Sequence, residues 1–367
     1  MRASTAIAVS ASLASLLLGL AGCAAPEPPA SPTSTASSTP TPGPAASDPL
    51  DCDALVPADL VAATLEGADG MPVEPVAAVE DHRAFDAVLL EGAGGLPCSW
   101  RVGDGMPEYN APSDWAYLRV DVLPGAASQW VPVALGDAPS DETREIAGIE
   151  ASVAVGDPGW AISAPVGDAW VVVSLSAAAH TSTGDRFAGL QVDMMDRLAA
   201  VAEAAFTALQ QATPDQLDWP ALELRQTDAV CNGGLDEQGV VAAMQLPAGT
   251  TVEYTMSDPA ATAPEYFTSA VAAAARAFTC EAWASDGTWL RITAARGLSP
   301  LFGRFGEPDA DLALSQLELA DTPPDTSALV SGTGRASTVL LSLGGTLYRI
   351  EGEHAPDVAQ AIVAQTY

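Results

Sequence analysis

The chain repeats itself, and the repeat limits the folds open to it more than any other feature. One copy opens at Cys52 with Cys-Asp-Ala-Leu-Val-Pro-Ala-Asp-Leu-Val-Ala-Ala-Thr-Leu, the other at Cys231 with Cys-Asn-Gly-Gly-Leu-Asp-Glu-Gln-Gly-Val-Val-Ala-Ala-Met. Counted from each cysteine, Val61 falls on Val240, Ala63 on Ala242 and Leu65 on Met244. Further on, Phe85 stands thirteen residues before Cys98, and Phe267 thirteen before Cys280. Cys98-Ser-Trp100 answers Cys280-Glu-Ala-Trp283, and Tyr117-Leu-Arg-Val120 answers Trp289-Leu-Arg-Ile292. Each copy closes on a helical segment, around Arg186–Gln210 and Pro356–Tyr367. Self-similarity of this kind marks one structural unit used twice. The expected domains are 51–212 and 213–367, meeting at Thr213-Pro214-Asp215.

Within each copy the periodicity changes from helical to extended and back. Pro57–Leu65 and Asp236–Met244 read as opening helices, the second with Asp236 as N-cap. Pro264–Phe278 reads as a further alanine-rich helix, with a shorter counterpart near Asp81–Glu91. Strands are expected at Ser99–Val102, Tyr117–Leu123, Ala151–Val155, Trp160–Ala164 and Trp170–Leu175. In the second copy they fall at Thr251–Met256, Glu281–Ala284, Trp289–Ala294, Ser337–Leu343 and Thr346–Ile350, with Gly344-Gly345 as a tight hairpin turn. Phe187, Leu190, Met194, Leu198, Val201, Ala205 and Leu209 recur every three or four residues, one apolar stripe for packing on a sheet. Helix, run of strands, helix predicts the α+β class: two tandem copies of an antiparallel sheet with flanking N- and C-terminal helices.

The N-terminus addresses the chain. Met1–Gly22 carries one basic residue, Arg2, then an apolar run through Leu13, Leu16, Leu17 and Leu18, too short and too rich in alanine and serine for a membrane span. Leu20-Ala21-Gly22-Cys23, a branched residue, two small ones and a cysteine, resembles the lipobox of bacterial lipoproteins. That resemblance implies a signal peptide over 1–22, cleavage between Gly22 and Cys23, and a diacylglycerol on Cys23. Two acyl chains, at about 0.8 kcal/mol per buried methylene, make a stable tether. The segment from Ala24 to Pro49 is nearly all Pro, Ser, Thr, Ala and Gly and buries too little to fold. Residues 23–50 are therefore read as lipid anchor and linker, with a reach of roughly 80 Å at polyproline spacing. The protein is expected on the outer face of the cytoplasmic membrane.

Lipidation of one of the five cysteines leaves Cys52, Cys98, Cys231 and Cys280. Outside the cytoplasm an even set reads as two disulfides, in one of three pairings. If each copy is self-contained, Cys52 joins Cys98 and Cys231 joins Cys280, each bridge stapling an opening helix to a central strand. A zinc site fails on spacing, because no two of these cysteines are close and only His82, His180 and His354 are at hand. No metal and no cofactor are expected.

Charge narrows the partners. The 47 acidic residues outnumber 14 basic ones, all arginine, for a formal net charge of −33. A chain of that charge repels nucleic acid and anionic headgroups, so contact with the membrane falls to the N-terminal lipid alone. The absence of lysine, with arginine as the sole basic residue beside abundant alanine, fits a GC-rich genome.

Cys52-Asp-Ala-Leu55-Val-Pro57-Ala-Asp-Leu60, the later Cys98-Ser-Trp100, the strand that follows, the lipobox and the linker together resemble the DUF3558-type lipoproteins of actinobacteria. The second copy departs from the pattern: Asp236 stands where the proline would be, and the tryptophan slips one place to Trp283. The resemblance implies an extracytoplasmic α+β domain and brings no catalytic residues with it.

Nor do the residues themselves supply a catalytic set. There is no Gly-x-Ser-x-Gly, and Ser-x-x-Lys is impossible without lysine. His180 stands in Ala179-His180-Thr181-Ser182, and a lone loop histidine is more often simply exposed. The carboxylates in Asp137–Glu142 and in Glu307-Pro-Asp309-Ala-Asp311 lack the spacing of a calcium loop. Asp104-Gly105 and Asp286-Gly287 are turn chemistry. Trp100 and Trp283 are expected beside the bridges and Trp170 near the sheet core, with Trp115, Trp130, Trp160 and Trp219 in segments whose burial is open. The expected function is a nonenzymatic binding or interaction module of the cell envelope, for an envelope protein, a peptide or a small apolar ligand. The alternative is an envelope hydrolase or accessory subunit working through acidic residues.

Overall fold

In a computed structural model the repeat appears as two sheets of one topology. The structure describes residues 48–67, 81–103, 115–135, 138–156, 159–177, 186–225, 237–247, 249–257, 263–306, 314–332 and 337–366. The signal segment, Cys23, most of the linker and Cys231 lie outside them.

The first half opens with α1 (Cys52–Leu55), α2 (Ala58–Leu65) and α3 (Asp81–Gly92). Asp51 caps α1, its Oδ1 accepting from the Ala54 N–H at 2.8 Å. Six strands follow: β1 (Leu96–Val102), β2 (Ala116–Leu123), β3 (Thr143–Ile146), β4 (Ile149–Gly156), β5 (Gly159–Val166) and β6 (Ala169–Ala177), then α4 (Gln191–Gln211). All pairings are antiparallel, in the order β1-β2-β6-β5-β4-β3.

The second half has α5 (Glu237–Ala243), β7 (Val252–Ser257), α6 (Phe267–Ala274), β8 (Phe278–Ala284), β9 (Trp289–Arg296), β10 (Ser315–Gln316), β11 (Ser327–Ser331), β12 (Thr338–Leu343), β13 (Thr346–Gly352) and α7 (Ala355–Thr366). Its order, β7-β8-β9-β13-β12-β11-β10, is that of the first sheet with β7 added outside. The registers agree as well. Cys98 pairs with Val120 and Val120 with Val173; Cys280 pairs with Ile292 and Ile292 with Ile350. Gly344 and Gly345 turn the last hairpin with φ of 58° and 83°, the two left-handed residues of a type I′ turn.

Alternation along the strands gives each sheet two apolar faces. On the outer face of the first, Val171, Val173 and Leu175 of β6 meet Met194, Leu198, Val201 and Ala205 of α4. On the outer face of the second, Ile292, Val339, Leu341 and Ile350 meet Val358, Ile362 and Val363 of α7. The inner faces share a third core that draws on both halves: Phe85 and Leu89 of α3, Val271 of α6, Leu123 and Trp170 from the first sheet, Leu340 and Leu347 from the second. Within it the middle helices cross over. Phe267 of α6 meets Trp170 of the first sheet edge to face at 5.5 Å, and Phe85 of α3 lies under Arg349 of the second at 5.0 Å. Residues 46–367 thus form one compact unit.

The segment between the halves is pinned along its length. Thr213 caps a 3-10 turn at Pro214–Leu217. The Leu50 N–H donates to the Gln216 carbonyl at 2.9 Å, and Trp219, buried in the first outer core, donates its indole N–H to the Leu50 carbonyl at 2.7 Å. Leu222 donates to the Gly92 carbonyl, and Arg225 bridges to Arg296 of β9. The segment passes so close to Gly297 (φ 104°) that a Cβ there would stand 2.6 Å from the Glu223 carbonyl oxygen.

Several expectations are revised. Cys52 is bonded to Cys98, but β1 is an edge strand of its sheet rather than a central one. Cys280 is disulfide-bonded too, and its expected partner, Cys231, lies outside the described residues. The expected helix Pro264–Phe278 is shorter than its counterpart, because Phe278 already opens β8. Strands β3, β10 and β11 carry too little apolar alternation to be read from sequence.

Candidate functional site

A pocket of about 280 Å³ opens where the inner face of the first sheet meets the start of α6. Its floor follows from β6: with Val171, Val173 and Leu175 turned outward, the inward positions Val172 and Ser174 are small and leave room above them. One wall is the segment 131–135, tied down by buried serines of the same face. Ser163 Oγ accepts from the indole N–H groups of Trp170 at 2.8 Å and of Trp130 at 3.0 Å, and Ser152 Oγ accepts from the Val133 N–H at 3.2 Å. The opposite rim is Tyr266, Phe267 and Thr268.

Among the described residues that line it, the pocket carries one charged pair. Arg119 and Asp121 stand two residues apart on β2, hence on one face, with Nη2 to Oδ2 at 2.7 Å. Their side chains are 15% and 5% exposed, so the pair sits largely out of water. Burial of such a pair adds little net stability of its own. Its net charge is zero, and it presents a guanidinium donor beside a carboxylate acceptor in a space lined by apolar side chains and by the hydroxyl-bearing Ser163, Ser174, Tyr266 and Thr268.

The residues singled out from sequence fare differently. Gly22, Cys23, His180, Cys231, Asp309 and Asp311 lie outside the described residues. His354 is near the start of α7, 3.4 Å from Asp357. Among the described residues no group of three or more His, Cys, Asp or Glu is placed to hold a metal ion, and no helix is long and apolar enough to cross a membrane. Asp141 and Glu142 of the first acidic stretch are exposed and line a second pocket of about 400 Å³ together with Leu135, Ser140 and Val155.

Of the tryptophans, Trp115, Trp160 and Trp219 are buried, Trp130 is half-buried against the sheet, and Trp170 stands in the central core at the edge of the pocket. Trp283, expected beside the second bridge, is 49% exposed on the face of β8 opposite Cys280 and stacks on Trp289 at 6.1 Å. The one-residue slip explains it. Trp100 pairs with Leu118, whereas Trp283 pairs with Trp289, the partner position that Tyr117 offers to Arg101 in the first half. A shift of one residue in a strand turns the side chain to the other face.

Arg119, Asp121, Ser163 and Thr268 went unnoticed in the sequence. The signal that leads to them is the match of Tyr117-Leu-Arg-Val120 to Trp289-Leu-Arg-Ile292, which puts an arginine on the same inner position of both sheets. No family model, no curated protein and no solved structure matches this chain.

Proposed function

We propose that the protein is a DUF3558-type lipoprotein, held by Cys23 on the outer face of the cytoplasmic membrane, and that its folded body binds a small molecule in the pocket on the first sheet without transforming it. The observation that carries this reading is the lining: apolar walls from Val131, Leu135, Val172, Trp170 and Phe267 around one self-neutralised pair, Arg119–Asp121. Pockets with an apolar lining and a few convergent polar groups are the usual small-molecule sites. Acid–base hydrolysis of glycosides needs two opposed carboxylates with separate tasks. Among the described residues that line this pocket Asp121 is the one carboxylate, already engaged by an arginine, which favours binding over hydrolysis.

Purification from its own membrane tests both parts together. The wild-type chain is expected in the membrane fraction, releasing one small molecule on denaturation in near-stoichiometric amount by mass spectrometry. Cys23→Ala is expected in the medium, folded, with the same molecule bound. A Cys23→Ala chain that stayed with the membrane would overturn the anchor, and protein that released nothing would overturn the binding role.

A further inference from the structure

The two halves share one frame, and the same point in it is open in one half and occupied in the other. Strand register carries the comparison, since Val120 pairs with Val173 as Ile292 pairs with Ile350. The middle helices align on Phe85 and Phe267, each thirteen residues before its cysteine. Val172, Ser174 and Thr268, all lining the pocket, therefore correspond to Arg349, Glu351 and Asp86. On the inner face of the second sheet these three form an ionic plug, with Asp86 reaching it from α3 of the first half. Arg349 Nε lies 3.1 Å from Glu351 Oε2, its Nη1 lies 3.7 Å from Asp86 Oδ1, and its guanidinium stands over the Phe85 ring. The Arg349 side chain is 12% exposed.

Around the open pocket every charge of the plug is replaced by a neutral side chain. What remains is Arg119, matched by Arg291 in the other half, and Asp121, matched by Thr293. Glu281, which holds Arg291 at 2.7 Å, is matched by Ser99, so among the described residues the open half loses four ions and gains one carboxylate, Asp121, on the strand of its arginine.

Resting on the binding role proposed above, we infer that the pocket takes a net-neutral molecule with an apolar, ring-sized body and a carboxamide-like end. A cavity of about 150 Å³ holds benzene, so one nearly twice as large holds roughly ten non-hydrogen atoms. Trp170, Phe267 and Val172 receive the apolar body. At the polar end a carbonyl accepts from Arg119 while the adjacent N–H donates to Asp121. A carboxylate ligand would meet Asp121 and the field of a chain at −33; an ammonium would meet Arg119. Either would give up hydration without a clean partner.

Ligand-observed NMR titrations of the detergent-solubilised full chain with benzamide, benzoate and benzylamine test the assignment. Benzamide is expected to bind saturably and more tightly than either ion by about tenfold or more. The triple replacement V172R, S174E and T268D transplants the plug, and Val172→Phe fills the same space with apolar bulk. Each is expected to keep the wild-type circular dichroism and to abolish benzamide binding; the second guards against misfolding of the first. Benzoate or benzylamine binding as tightly as benzamide would overturn the ligand class, as would no binding of any probe. Benzamide binding that survived in both folded variants would place it elsewhere and overturn the assignment. The two readings separate on the molecule released from the membrane-purified chain. If the class alone is wrong, the plug variants still lose that molecule; if the pocket is wrong, they keep it.

Discussion

Two residues illustrate how much a single position decides. Ser163 is buried on the inner face of β5 and accepts from two indoles at once, which fixes both the Trp170 ring and the 131–135 wall. Cys52, at the first turn of the folded body, is held to β1 across a sequence separation of 46. Cross-linking a loop of that size is worth about 4 kcal/mol in the chain-entropy model. Cys52→Ala is therefore expected to lower the unfolding free energy by about that amount, measured by urea denaturation against the wild type. An unchanged midpoint would mean that α1 is held by its packing alone. Leu55, fully buried in the first outer core, is the residue through which that packing would act.

Among the elements, the middle helices do the joining. Phe85 of α3 is fully buried under Arg349, and Glu91 of the same helix accepts from Arg304 of the other half at 2.6 Å. Phe85→Ala is expected to cost about 3 kcal/mol or more, as large aromatic deletions in cores do. Hydrogen exchange should then lose protection in β13 as well as in α3; loss confined to α3 would contradict the crossover. The elements themselves were largely legible. The stripe from Met194 to Leu209, the strands that carry Cys98 and Cys280 and the Gly344-Gly345 turn all come from local chemistry that period and turn rules capture, although α4 opens only at Gln191, after Phe187 and Leu190 of the expected stripe. The pocket was not legible. Arg119, Asp121 and Thr268 come from two different halves and form a site only because α6 reaches onto the first sheet, and no local period encodes that reach. Trp283 misled for a related reason: its distance from Cys280 looks like that of Trp100 from Cys98, yet one residue of difference changes the face of a strand.

At the scale of the whole molecule, two copies of one unit do not make two independent bodies. The central core takes Leu123 and Trp170 from one sheet, Leu340 and Leu347 from the other, and both middle helices between. Unfolding in denaturant is expected as one transition, with tryptophan fluorescence and far-ultraviolet circular dichroism coinciding. Two separated transitions would show that each half stands by its own outer core. The crossover also bears on origin. A freestanding single copy would carry on its helix an aromatic residue with no sheet to meet, and on its sheet a bare place for one. Two identical copies would satisfy each other around a two-fold axis, each giving what it receives. Tandem duplication turns such an interface into the interior of one chain and releases it from symmetry. In a symmetric pair every substitution is made twice, so both cavities stay open or both close. In a fused chain one can be stoppered for stability while the other is left to a ligand.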